Sequence, residues 1–152
     1  MNNTFKLNQF TITNKAGFVD YLPQWSSVRK QISPISTAKL YPCTVVKLLP
    51  NGYIEKATAS DLAYGVVYYN DIFNEHTATN NFNIPPLLRE GDYITLLADG
   101  VIEAGDELEF SPQLTGQDKA KKSAGTNPIF AIADEPAVDG GVFKAFLKFK
   151  TI

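Results

Sequence analysis

Six carboxylates crowd one short stretch of the chain: Asp92, Asp99, Glu103, Asp106, Glu107 and Glu109. Carboxylates in pairs can divide acid and base roles at a glycosidic bond, or share a Ca²⁺ ion. Either chemistry requires them to converge in one pocket. The neighbouring residues point elsewhere. Asp92, Asp99 and Asp106 each adjoin a glycine, which is turn chemistry, and acids on outer strand faces keep strands soluble and apart. The group is therefore expected in turns and on solvated faces. A hydrolase built on it would use Glu103 or Asp106.

The remaining reactive side chains are sparse. His76 is the single histidine and lies in a polar stretch, so it is expected at the surface of a loop. Only Asp71 and Glu75 stand near it, too few for a metal site at ligand spacing. Cys43 is the single cysteine and lies in an apolar run, where a small buried hydrophobe is expected. One thiol makes no intrachain disulfide. There is no G-x-S-x-G, H-E-x-x-H, C-x-x-C or G-x-G-x-x-G. Gly100 and Gly105 have the spacing of a phosphate loop, but Asp106-Glu107 follows where Lys and Ser/Thr belong, and a carboxylate there repels phosphate. No catalytic residue, cofactor site or metal site is expected.

Lys119, Lys121 and Lys122 sit together in a chain of formal net charge -2. No aromatics are interleaved with them, as a single-strand nucleic-acid platform requires, so they are expected to be solvated and to contact no nucleic acid.

The elements that position these residues are mostly short strands. A length of 152 residues suits one domain, which would bury roughly two-thirds of its unfolded surface. With 44% hydrophobic and 20% charged residues, disorder and a membrane class are disfavoured. The start lacks an apolar segment of signal-peptide length, and no run reaches the roughly 20 apolar residues of a membrane helix. Synthesis in a cytoplasm is expected.

Residues 1–40 differ in texture from the rest. Thr4 to Thr13 reads as a strand or an extended arm. Asp20 can cap a short helix reaching about Ile32, stopped by Ser33-Pro34. From Tyr41 onward, apolar runs alternate with Gly, Asn and Asp. Strands are expected at Cys43–Leu49, Tyr53–Ala57, Val66–Tyr69, Tyr93–Leu97, Val101–Glu103, Glu107–Phe110 and Ile129–Ala133. Asn51-Gly52 marks a tight turn in which both residues tolerate positive φ. Two stretches, Asn70–Asn83 and Ser111–Asn127, read as polar loops. The last strand is the clearest: Phe143, Ala145, Leu147 and Phe149 share one face and Lys144, Lys148 and Lys150 the other. Phe146 breaks the pattern, as an aromatic on the outer face. The expected fold is mainly β, a small barrel or sandwich of about eight short strands, with an N-terminal arm (1–40) before a β-rich binding domain (41–152).

Three runs carry a resemblance. PCTVVKLLPNGYIEKATASDLAYGVV (Pro42 to Val67) gives strand, Gly turn, strand, Ala-rich step and Gly-Val-Val. REGDYITLLADGVIEAGDELEF (Arg89 to Phe110) repeats Gly-Asp before apolar strands. TNPIFAIADEPAVDGGVFKAFL (Thr126 to Leu147) adds Ile-Ala-Asp-Glu-Pro-Ala and a closing strand. This rhythm resembles the structural cement proteins of tailed phages, also called capsid decoration or head auxiliary proteins, over about residues 41–150.

The resemblance implies a non-enzymatic role on the outside of a phage head, with the major capsid protein as partner. It also implies self-association or contact between neighbouring copies, with a trimer favoured. Many modest interfaces over equivalent joints would sum by multivalency. Phe5, Phe10, Phe18, Tyr21 and Trp25 would supply aromatic anchors from the arm, with Phe73 and Phe82 in the polar excursion as further contacts. Two other readings share the texture: a tail, baseplate or head-fibre adaptor, and the carboxylate-dependent hydrolase named above.

Overall fold

The computed structural model describes residues 16–17, 29–69, 75–79 and 83–152. Among them are nine strands and no helix: β1 (Val45–Leu48), β2 (Ile54–Lys56), β3 (Gly65–Val67), β4 (Leu87–Leu88), β5 (Tyr93–Leu97), β6 (Glu107–Ser111), β7 (Lys119–Lys122), β8 (Ile129–Ala133) and β9 (Val142–Lys150). They form two antiparallel sheets, ordered β2-β1-β3-β4 and β5-β9-β8-β6-β7.

The pattern of apolar residues explains the layering. The four-stranded sheet is written in doublets: Val45-Val46, Val66-Val67 and Leu87-Leu88, every one of them buried. Successive strand residues face opposite ways, so a buried doublet means a sheet covered on both faces. Val45, Val66 and Leu88 join the main core, with Ile94, Leu96, Leu108, Phe110, Phe130 and Phe143 of the five-stranded sheet. Val46, Val67 and Leu87 join a second core with Ile32, Leu40 and Ile54. In the five-stranded sheet β5 and most of β9 interleave buried and partly exposed positions, whereas β6 and β8 each carry three consecutive buried residues.

The second core draws in residues before Tyr41. Ile32 forms a parallel bridge with Ile54, and Leu40 an antiparallel bridge with His76. Arg29 to Ile32 are not helical, which corrects the end of the expected helix: Ile32 donates its N–H to Asn83 O (2.8 Å), and Ile54 donates to Gln31 O (3.0 Å). Edge pairing satisfies these groups where indifferent helix formers would not. The earlier part of that helix and Thr4–Thr13 lie outside the described residues.

The body is sandwich-like and not a closed barrel. Its five-stranded sheet curls until Ala98, just past β5, meets Ala120 of β7 in one parallel bridge. No ladder continues from it.

Several element boundaries differ from those expected, each for a local reason. Val101–Glu103 is a single bridge, Ile102 to Ala137, rather than a strand. In the β1–β2 hairpin only Gly52 takes positive φ (89°), and Gly52 N–H returns to Leu49 O (2.9 Å). The connection is thus a three-residue loop closed by glycine rather than a two-residue turn. The polar stretch Ser111–Asn127 contains β7, paired with β6 from Leu108↔Lys122 to Ser111↔Lys119. Lys-Ala-Lys-Lys lacks the β-formers that announce a strand. It needs only Ala120 inward, and its lysines suit an edge.

Candidate functional site

The charged constellations singled out from the sequence resolve into turns and ion pairs. Four turns share one design, in which the N–H of the first residue donates to the side chain of the fourth. Tyr41 N–H donates to Thr44 Oγ1 (2.9 Å) and Thr58 N–H to Asp61 Oδ2 (2.8 Å). Arg89 N–H donates to Asp92 Oδ2 (3.2 Å) and Glu103 N–H to Asp106 Oδ2 (2.9 Å). In each, the fourth residue's N–H returns to the first residue's carbonyl, at 2.9–3.3 Å. Three of the four place their third residue at positive φ: Gly91 (99°), Gly105 (90°) and Cys43 (71°). That is the geometry of a type II turn, where glycine is preferred.

Cys43 thus occupies a glycine's backbone position. Its side chain is buried in the main core, 3.5 Å from Thr95 O. Burial, with Asp118 adding to it, pushes the thiol far above its ordinary range, so it is no thiolate nucleophile. Opposite it lies Gly17, also at positive φ (86°), where a Cβ would stand 2.7 Å from Pro42 Cβ. Gly17 N–H donates to Thr95 O and its carbonyl accepts from Tyr69 N–H. The Ala16-Gly17 pair therefore stitches the strand β5 to the end of β3.

The acids and the lysines are each other's counter-ions. Lys121 pairs with Glu109 (3.5 Å), Lys122 with Asp106 (3.2 Å), and Lys150 with Glu107. The hydrogen bond from Glu103 and the Lys122 ammonium hold Asp106 below the ordinary carboxylate range, against a smaller opposing effect of burial. That ionised cap is a structural group. The six carboxylates do not converge. Asp92 and Asp106 cap separate turns, Glu107 and Glu109 sit on β6, and Glu103 is exposed on a loop. Among the described residues no three His, Cys, Asp or Glu side chains are placed to hold a metal ion.

Glu109 is the least expected of the group. The sequence predicts a solvated face for it, yet it is 1% exposed. β7 and β8 both flank β6 antiparallel to it, so the chain between them must cross back over β6. Glu109 is buried beneath that crossing rather than in the core. Its carboxylate accepts Ala124 N–H (3.2 Å) and Asn127 Nδ2 (3.1 Å). Burial alone would raise its pKa, but the Asn127, Ala124 and Lys121 contacts together hold it below its ordinary 4.5.

A depressed carboxylate stabilises the fold fully above the unfolded value and progressively less as pH falls through the folded one. Glu109→Gln is expected to cost about 1–2 kcal/mol at neutral pH, since one amide oxygen replaces two acceptors. It should also flatten the loss of stability below pH 4.5. Urea titrations at neutral and acidic pH check both. An unchanged acid slope would refute the latch.

His76 is also corrected. It is 3% exposed rather than a surface side chain, because its backbone pairs with Leu40 in both directions (2.8 and 2.9 Å). Cys43 belongs to the main core, whereas the backbone of His76 is paired with Leu40 of the second core. Phe146 is half-buried on the outer face, edge-on to Tyr93 at 5.2 Å between ring centres. The aromatic contact candidates Phe5, Phe10, Phe18, Tyr21, Trp25, Phe73 and Phe82 lie outside the described residues.

A further surface is built from two loops that are far apart in the sequence. The loops 98–106 and 134–141 are bound together at one end of the five-stranded sheet. Ala98 N–H donates to Gly141 O (2.8 Å) and Gly140 N–H to Ala98 O (3.0 Å). Ile102 and Ala137 exchange both bonds (2.8 and 2.9 Å). Gly100 N–H donates to Asp139 Oδ1 (2.8 Å). Ile102 turns inward (1% exposed), so its neighbour Val101 turns out, and the antiparallel register sets Val138 beside it. Val101 is 69% exposed and Val138 72%. The signal available in sequence was slight: a valine beside a Gly-bearing turn in each of two loops 37 residues apart. No protein-family model matches the chain, and no curated protein matches it.

Proposed function

We propose that this protein is a non-enzymatic structural component of a phage virion that binds the outer surface of the major capsid protein shell and stabilises the head. The observation carrying the reading is that the groups able to do chemistry are committed to architecture. Asp92 and Asp106 hold turns, Glu109 latches a crossover, and Lys121, Lys122 and Lys150 neutralise acids. What is left at the surface is a rigid β framework with exposed apolar loop residues, which suits binding.

The resemblance of residues 41–150 to capsid cement proteins supplies the partner. Its Gly-Asp rhythm corresponds to the capped turns, so it reports the fold more directly than the role. Contact between neighbouring copies, as trimers around local symmetry axes, belongs to the same proposal.

Mass spectrometry and cryo-electron microscopy of the purified particles test it. The expected result is density repeated over the faces of the head. Absence from the particles overturns the reading. Density at a single vertex or along the tail replaces it with an adaptor role.

A further inference from the structure

The paired loops 98–106 and 134–141 form an apolar tip with no cover among the described residues. Val101 and Val138 project side by side, and Pro136 and Val142 are exposed nearby. Single exposed apolar residues are ordinary. Two β-branched ones, held as cross-strand neighbours on hydrogen-bonded loops, are a fixed surface. Such a surface loses little conformational entropy when it docks.

Charge identifies what fits it. Asp99, Glu103, Asp134, Glu135 and Asp139 lie on the same two loops. Among the described residues none of these five carboxylates is in an ion pair, whereas Asp106 at the loop's base is matched by Lys122. Glu135 and Asp139 accept backbone N–H groups from Lys144 and Gly100, which fixes their positions and leaves their charge uncompensated. Several acids elsewhere are matched by lysines: Glu75 by Lys39, Glu55 and Asp61 by Lys47, and Glu107 by Lys150. The two loops therefore carry an exposed apolar pair and five acids, with Lys144 beside Asp134 and Glu135 at their base.

We infer that this tip is the surface that docks on the head, and that it fits a partner surface where Lys and Arg side chains flank an apolar hollow. The inference rests on the proposed function and adds the contact and its chemistry. The apolar pair supplies desolvated contact, and the acids steer association.

The test uses the full chain and empty heads assembled from the major capsid protein. Binding is measured by cosedimentation and surface plasmon resonance at several salt concentrations, with thermal unfolding as a control. Val101→Asp with Val138→Asp is expected to keep the wild-type melting temperature and to weaken head binding by about 30-fold or more. Glu103→Lys with Asp134→Lys is expected to slow association, and wild-type binding to weaken as salt rises. If the wild type binds no heads, the cement reading and this inference fall together. If the wild type binds and the valine variant binds equally well, only the inference falls. If the lysine variant and salt have no effect, the basic character of the partner is wrong. Should light scattering show the valine variant losing a self-associated form while still binding heads, the tip is a contact between copies and the inference is overturned.

Discussion

Asp118→Ala is expected to destabilise the protein by about 3–4 kcal/mol, seen as a fall in melting temperature of roughly 10 °C. Asp118 precedes β7 in the five-stranded sheet, and its carboxylate reaches the other sheet. Oδ2 accepts the N–H of Val45 on β1 (3.0 Å), a residue with no exposure at all, and Oδ1 accepts Gln113 N–H (3.1 Å). Lys56 on β2 lies 3.9 Å from the same carboxylate and donates to Gln113 O. Removing the side chain leaves a buried N–H unmet and Lys56 without its counter-charge. Each buried unmet donor costs about 1–3 kcal/mol.

The pH dependence has the opposite sign to that of Glu109. Burial, outweighing the hydrogen bonds and Lys56, holds Asp118 above its ordinary 3.8. A raised carboxylate binds its proton more readily folded than unfolded. Its contribution is therefore most favourable below pH 3.8 and declines as pH rises through the folded value. Asp118→Asn should remove that dependence and keep one of the two acceptors, at roughly half the cost of alanine. Equal stability of wild type and Asp118→Ala in urea at neutral pH would show that the two sheets are held by apolar contact alone.

Phe110→Ala is expected to cost about 3–5 kcal/mol, with an unchanged denaturant slope. Phe110 on β6 is 1% exposed and meets Phe130 on β8 edge-on, ring centres 5.7 Å apart. Its partner across β7 is Ala120, too small to fill the space, and the backbone there is held by the β6–β7 ladder. The cavity cannot collapse, which places the loss toward the upper part of that range. A double-mutant cycle with Phe130 should return a coupling of about 0.5–1.5 kcal/mol from the aromatic contact. A loss below about 1 kcal/mol for Phe110→Ala alone would mean that the sheets close over the gap.

Features decided within a few residues were legible in the sequence. β5 and β8 follow from apolar runs bounded by turn residues, and β9 from alternation that its burial reproduces residue by residue from Phe143 to Leu147. The Gly-Asp turns are readable because the fourth residue's carboxylate reaches the first residue's N–H without help from the rest of the fold. The doublets Val45-Val46, Val66-Val67 and Leu87-Leu88 also state that one sheet is covered twice, a signal that strict alternation would have denied.

Tertiary structure decided whatever depended on sheet order. Lys-Ala-Lys-Lys became a strand because β6 offered it an edge. Glu109 became a buried latch because the β7–β8 connection must cross its strand. Asp118 found Val45 across 73 residues, and Lys150 found Glu107 across 43. The alternation that places Glu109 on the outer face is correct, and only the crossing chain decides whether that face is wet. For the same reason the sequence placed Asp92 and Asp106 in turns, where the structure has them, while only the fold could pair Lys122 with Asp106 and Lys150 with Glu107 and set two exposed valines side by side at its tip.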